Sequence, residues 1–191
     1  MGKGRLEAFS DGVIAIIITI MVLELVPPRD TTVNALVGLA PVFLAYVLSF
    51  VNVGIYWNNH HHLLQVVRVV DGRVLWANLF LLFWLSLFPF TTAWMGENGF
   101  ASLPVAAYGV VLLMAGVAYY VLERLLIRIQ PPGTQLEAAV GMELKGITSV
   151  VAYLVAVAAA FVLPAASLAI YVGVAVWWFV PDRRIERVVG R

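Results

Sequence analysis

Arg5-Leu6-Glu7-Ala8-Phe9-Ser10-Asp11-Gly12-Val13-Ile14-Ala15-Ile16-Ile17-Ile18-Thr19-Ile20-Met21-Val22-Leu23-Glu24-Leu25-Val26-Pro27-Pro28 decides the fold class. From Gly12 onward this run is apolar until the paired prolines, interrupted only by Glu24 near its end. A helix that crosses a bilayer needs about 20 such residues, with roughly 17–25 as the working range. Five further uncharged runs follow: Ala35 to Trp57, Val74 to Trp94, Ser102 to Leu122, Ile147 to Leu163 and Ala165 to Val180. Pro164 alone separates the last two, so they read as a tight helical hairpin rather than one long helix broken at its centre. The expectation is an all-α integral membrane protein, one six-helix domain over residues 1–191, with spans at 9–26, 35–57, 74–94, 102–122, 140–163 and 165–180.

Composition points the same way. Of 191 residues, 62% are hydrophobic and only 12% charged, against roughly 45–50% and about 25% in an average soluble domain. The mean hydropathy is +0.94. A soluble domain of this length buries only about 70% of its unfolded surface, so the excess apolar surface must face lipid. A formal charge of +1 provides no basic field for nucleic acid. The absence of cysteine removes disulfides, thiolate metal sites and cysteine nucleophiles together.

The punctuation fits six helices. Pro27 and Pro28 stop the first; Gly96-Glu97-Asn98-Gly99 reads as the third turn; Gln130-Pro131-Pro132-Gly133 opens the fourth connection. Thr134 with Glu137 fits a capping box that starts helix 5 ahead of its apolar run. With both termini cytoplasmic, 11 of the 12 Lys and Arg residues fall on the cytoplasmic side and only Arg29 lies outside, the bias expected of a multi-pass protein of the cell membrane. No cleavage site of small residues follows the first run, so helix 1 is expected to stay in the mature protein. Inverted internal repeats of the transporter kind are absent from the sequence.

Polar residues at membrane depth are the candidates for function. Asp11 enters helix 1 at its cytoplasmic end, and a buried charge there needs a partner or water. The topology puts Arg5, Asp11, Trp57, His60, His61 and Asn78 at similar depth, where they could form one hydrogen-bonded cluster. The alternative makes Asp11 a dipole partner for the start of helix 1. His60-His61-His62 invites a metal reading, but consecutive helical residues point about 100° apart and cannot chelate one ion. Glu24 reads as a snorkelling residue or as a cation-attracting group at a pore mouth. Thr19, Ser49, Asn52, Ser86, Thr91 and Thr92 are further polar groups, most of them packing residues that bond to their own helix. At about 100° per residue, Ile16, Thr19, Ile20 and Leu23 share one stripe of helix 1, whereas Asp11 lies on the opposite side and faces neighbouring helices. Ordinary packing would account for such a stripe on its own.

Arg5-x-x-x-Phe9-Ser10-Asp11, followed by Gly12-Val13, Ala15-Ile16 and Thr19, resembles the signature of the transmembrane protein 175 potassium channel family in its six-helix prokaryotic form. Trp57 with His60 and His61, then Asp71, Trp76, Asn78, Leu79, Pro89-Phe90-Thr91 and the Gly96-Glu97 turn, resemble the family pattern as well. Helices 4 to 6 match mainly in number and length. The resemblance implies a homotetramer in which helix 1 of each subunit lines a central pore. In place of the Thr-Val-Gly-Tyr-Gly carbonyl filter, which this sequence lacks, it implies a hydrophobic constriction at Ile16, a polar layer at Thr19 and apolar layers at Ile20 and Leu23. Arg5, Phe9, Ser10 and Asp11, with Trp57, His60 or His61, and Asn78, would hold helix 1 at its tilt. His62 and the doubled Pro27-Pro28 depart from the pattern.

The function this implies is a modestly potassium-selective, leak-like cation channel whose partners are its own copies, monovalent cations and the lipid bilayer. Potassium is the permeant species, and no cofactor or structural metal is expected. The alternative is a small proton-coupled secondary transporter using Asp11 and His60 or His61. Against it, the polar cluster lies at the cytoplasmic end rather than mid-membrane, where carriers bind substrate. An enzyme is not expected: Ser-His-Asp spacing, a Gly-rich phosphate loop and a metal set are all missing from the sequence.

Overall fold

The computed structural model describes residues 2–131 and 143–179, which are helical or in turns and short connections, with no strand among them. The helices are α1 (Lys3–Leu23), α2 (Val33–Gly38), α3 (Ala40–Gln65), α4 (Gly72–Ser86), α5 (Phe88–Glu97), α6 (Ser102–Ile129), α7 (Glu143–Ala159) and α8 (Pro164–Phe179). The Thr134–Glu137 capping box, Pro132, Gly133, the expected start of the fifth span at 140, Val180 and the basic C-terminal residues Arg183, Arg184, Arg187 and Arg191 lie outside the described residues.

Prolines divide two of the expected spans. Pro41 stands in the first turn of α3 and has no N–H to donate, so the run from Ala35 breaks at Leu39 into the short α2 and the long α3. Thr32 caps α2, its hydroxyl accepting from the Ala35 N–H at 3.3 Å. Asp71 caps α4 in the same way, its Oδ1 accepting from the Val74 N–H at 3.0 Å. Pro89 then interrupts the ladder, and the Leu87 N–H turns to the Trp84 carbonyl at 3.2 Å. Gly72–Glu97 nevertheless stays apolar and long enough to cross a bilayer, as do Lys3–Leu23, Ala40–Gln65 and Ser102–Ile129. The last two helices are shorter. Over the described residues α7 and α8 are 17 and 16 residues long, a rise of about 25 Å at about 1.5 Å per residue. Among the described residues, four stretches are long enough for a full crossing, and α7 with α8 forms the hairpin expected around Pro164.

Boundaries move for physical reasons. α3 runs beyond Trp57 to Gln65 because the Asn59 carbonyl accepts from Tyr119 and His60 bonds Asn78 inside the bundle. α6 runs beyond Leu122 to Ile129, carrying buried Leu126 onto the same face as Leu122. Gly96 and Glu97 are not turn residues, as the sequence suggested, but the last residues of α5. Gly96 is a packing residue: a Cβ there would lie 2.8 Å from Val42 Cα. The turn begins at Asn98, with Gly99 at φ 57° and the Phe100 N–H reaching back to the Met95 carbonyl at 3.0 Å, a Schellman closure.

Pro164 opens α8 at the position where its missing N–H costs nothing, giving the expected helical hairpin. Ser167 Oγ donates to the Ala156 carbonyl at 2.7 Å and Trp178 Nε1 to Ser149 Oγ at 2.8 Å, tying its two arms. α6 is the hub, packed on α4, α5, α7 and α8, with Leu112, Leu122 and Leu126 fully buried. Gly109 lets α8 approach, since a Cβ there would overlap the Tyr171 hydroxyl, which donates to the Val105 carbonyl at 3.2 Å. α1 lies to one side, against α3, α4 and α5.

Candidate pore helix and its polar anchor

α1 divides into two faces. Leu6, Ser10, Ile14, Ile17 and Met21 are buried against the bundle. Arg5, Phe9, Gly12, Ile16, Thr19 and Leu23, spaced alternately four and three apart, are all exposed on the other side. Ile16 is 58% exposed and Leu23 77%, with Ile20 beside them at 40%. The stripe expected from helical periodicity is therefore exposed among the described residues. Thr19 Oγ1 donates to the Ile16 carbonyl at 2.8 Å, which leaves the oxygen lone pairs as its remaining hydrogen-bonding capacity.

The anchor is not the single cluster that sequence depth suggested, nor does Asp11 face the core. Ser10 does, because adjacent helical residues point about 100° apart. Asn78 Nδ2 donates to Ser10 Oγ at 2.9 Å, and Ser10 in turn donates to the Leu6 carbonyl at 2.9 Å. Asn78 Oδ1 lies 2.8 Å from His60 Nε2. As that oxygen can only accept, Nε2 carries the proton. Ser10, Asn78 and His60 are 0%, 0% and 2% exposed, so every polar atom in this branch depends on its neighbour. A second branch lies outside. Asp11 is exposed and accepts from Trp57 Nε1 at 3.0 Å. His61 stacks on Trp57, with centroids 6.0 Å apart, and hydrogen-bonds Gln65 at 2.8 Å. Together the branches pin the first half of α1 to α3 and α4, and Lys3 Nζ adds a bond to the Gln65 carbonyl at 3.0 Å.

Arg5 and Phe9 stand outside both branches, on the exposed stripe. His62 Nδ1 is buried without a hydrogen-bond partner among the described residues. No group of three His, Cys, Asp or Glu residues suited to a metal ion occurs among the described residues. Glu24 is exposed at the C-cap of α1. Two residues escaped the sequence reading. Glu123, placed beyond the expected end of its helix, is only 7% exposed within α6. Gln130 staples the α3–α4 connection, accepting from the Arg68 N–H at 2.8 Å and donating to the Val69 carbonyl at 3.0 Å. Continuation of the apolar spacing through Leu122, Leu126 and Ile129 was the signal that could have found both.

Comparison with known proteins places this arrangement. The family model described as endosomal/lysosomal potassium channel TMEM175 matches residues 5–89, the segment that holds both faces of α1 and all of its anchor. A protein of Chryseobacterium sp. (strain P1-3) named potassium channel is 51% identical over 187 residues, covering 98% of this chain and 97% of the relative. The human endosomal/lysosomal proton channel TMEM175 is 44% identical over 80 residues, 36% of this chain and 16% of that protein. The crystal structure of a lysosomal potassium-selective channel TMEM175 homolog from Chamaesiphon minutus superposes with a TM-score of 0.83 at 28% identity, covering 93% of this chain and 96% of that one. With its relationship to the Chryseobacterium protein running from end to end and its apolar helices arranged as in the Chamaesiphon structure, this multi-pass membrane chain belongs to the TMEM175 family.

Proposed function

We propose that the protein is a modestly potassium-selective, leak-like cation channel of the cell membrane, assembled from four copies around an axis lined by α1. One observation carries this reading: the unpartnered stripe of α1, with Ile16, Thr19 and Leu23 exposed while the opposite face is buried. A helix anchored this firmly on one side has its other face free for an axis shared with further copies. Potassium is the chosen ion because the relatives named for it include the one that matches along the whole chain. The cytoplasmic placing of both termini rests on the bias of Lys and Arg.

Four Ile16 side chains at such an axis form a ring that dewets when narrow and passes a largely dehydrated cation when wider. Thr19 hydroxyls, their protons committed to the Ile16 carbonyls, present lone pairs that replace part of the lost hydration shell. Potassium sheds water more cheaply than sodium and passes more readily. Ile20 and Leu23 continue the apolar lining. Arg5, Phe9, Ser10, Asp11, Trp57, His60, His61 and Asn78 set the tilt of α1 rather than touch the ion at the constriction. The proton-coupled carrier draws little support: His60 bonds Asn78 on the buried branch, and Asp11 and His61 share only the Trp57 side chain, so no hydrogen bond joins Asp11 to either histidine among the described residues.

Flux from potassium-loaded proteoliposomes tests the proposal, with sodium and protons measured alongside. Uncoupled potassium flux faster than sodium flux, raised in Ile16→Asn with loss of the preference, is the expected result. Absence of uncoupled flux, or a silent Ile16→Asn in well-assembled protein, rejects α1 as the pore helix.

A further inference from the structure

A half-open, mostly apolar groove lies among α3, α6, α7 and α8, walled in part by Ile55, Tyr56, Tyr119, Tyr120, Tyr153 and Trp178. On α6 its lining runs from Gly116 to Glu123 and on α3 from Asn52 to Asn59, each a rise of about 10 Å at about 1.5 Å per residue. The groove is therefore elongated along the helices, in the direction of a lipid chain. Its hydroxyls are turned to backbone: Tyr56 donates to the Leu112 carbonyl at 3.4 Å, Tyr119 to the Asn59 carbonyl at 3.1 Å and Ser149 to the Lys145 carbonyl at 2.8 Å. What meets a guest is mostly ring and aliphatic carbon, and Gly116 adds no side chain to the wall. A Cβ there would make only ordinary contact, 3.7 Å from the Tyr56 hydroxyl.

One end of this groove is basic. Residues four apart share a helix face, so the row of α6 that lines it, Gly116 and Tyr120, continues as Arg124 and Arg128. The Arg124 guanidinium lies over the Tyr120 ring at 5.0 Å. On α7, Lys145 stands one turn before the lining residue Ser149, with Nζ 5.8 Å from the ring centroid of Trp178. Both rows end where residues 130–142 join α6 to α7. In these rows three cations outnumber the one carboxylate, Glu123, on which Arg124 acts electrostatically. Depth agrees with the charge. The 28 residues of α6 rise about 42 Å at about 1.5 Å each. Centred on a hydrocarbon core of about 30 Å, the helix puts Arg124 just inside the boundary, within snorkelling reach of it, and Arg128 among the headgroups.

We propose that the groove holds an acyl chain of one anionic phospholipid from the leaflet at this end, with the phosphate received by Arg124, Arg128 and Lys145. An apolar slot along the bilayer normal fits the chain, and basic side chains at headgroup depth fit the phosphate. The bias of Lys and Arg makes this the cytoplasmic leaflet. The site does not depend on α1 lining a conduction path.

The full chain in phosphatidylcholine vesicles, doped with phosphatidylglycerol carrying a photoactivatable acyl chain, tests the location. Adducts concentrate on the segments holding Tyr119, Tyr120 and Trp178, and a phosphatidylcholine probe with the same chain labels them far less. Gly116→Leu, which fills the groove and keeps the cations, removes these adducts. Even labelling over the outer helices, or equal labelling by the two probes, overturns the proposal. Native mass spectrometry of the detergent-solubilised protein tests the charge: retention of phosphatidylglycerol falls roughly 30-fold in Arg124→Gln/Lys145→Gln. Unchanged retention in that variant, or displacement of the lipid by inorganic phosphate alone, overturns it. Should a variant fail to fold, the comparison of the two lipid probes on the wild type decides alone.

Discussion

α1 and α6 are both long apolar helices, yet the bundle uses them in opposite ways. In the most apolar stretch of α1, 28% of residues are buried; in that of α6 the share is 56%. α6 packs on α4, α5, α7 and α8 and hydrogen-bonds α3, with Gly109 admitting α8, whereas α1 buries one face and leaves a regular row of residues exposed. Hydropathy reports that a helix prefers apolar surroundings; it does not distinguish lipid, a pore axis and the protein interior. The partners decide that, and among the described residues α1 packs on α3, α4 and α5 through one face. Its polar residues follow the same division, Ser10 facing inward to Asn78 and Thr19 facing outward.

If the outer face of α1 is the conducting one, Ile16→Asn has the largest effect. It wets the constriction and raises cation flux by roughly tenfold, equivalent to about 1.4 kcal/mol off the barrier. It leaves thermal stability near wild type, because Ile16 is 58% exposed in the subunit. A lost fold with no gain in flux would erase the distinction between the two faces.

Glycines sharpen the comparison. Gly96→Ala forces a Cβ to within 2.8 Å of Val42 Cα, and overpacking of this kind costs about 1–3 kcal/mol, read as a lower Tm. Gly12→Ala meets open space on the exposed stripe, so it leaves Tm unchanged and shows itself, if at all, in flux.

The two branches of the anchor differ in the same sense. Asn78→Ala strands buried Ser10 and His60 and costs about 1–3 kcal/mol. Trp57→Phe removes an exposed hydrogen bond to Asp11 and costs at most about 1 kcal/mol. Denaturation of the two variants side by side checks the order, and equal losses would contradict it. The smallest effect belongs to Thr19→Ala, where potassium-to-sodium preference falls modestly while the fold is untouched, because the lost hydroxyl bonds only to its own helix.

Much of the architecture was legible in the chain. Runs of apolar residues, Pro164 and the stripe from Ile16 to Leu23 translate into helices, a hairpin and an exposed face by local rules that need no partner. The candidate anchor was legible as a set of residues but not as a set of bonds. Depth put Asp11, Trp57, His60 and Asn78 together, and only the packed bundle shows Ser10 taking the buried place that Asp11 was expected to hold. Gly96 read as a turn residue because glycine serves both turns and close contacts, and its neighbour Val42 is distant in sequence.

The sequence by itself determined that this chain lives in a membrane, roughly where its helices run, and which side of α1 differs from the other, since composition, length and a period of 3.6 residues are properties of the chain. The tertiary structure alone decided the reach of α6 past Glu123 and the split of the anchor into a buried and an exposed branch. Each depends on what a side chain meets across the bundle, and a hydrogen bond or a close contact between distant residues exists only once the helices have been brought together.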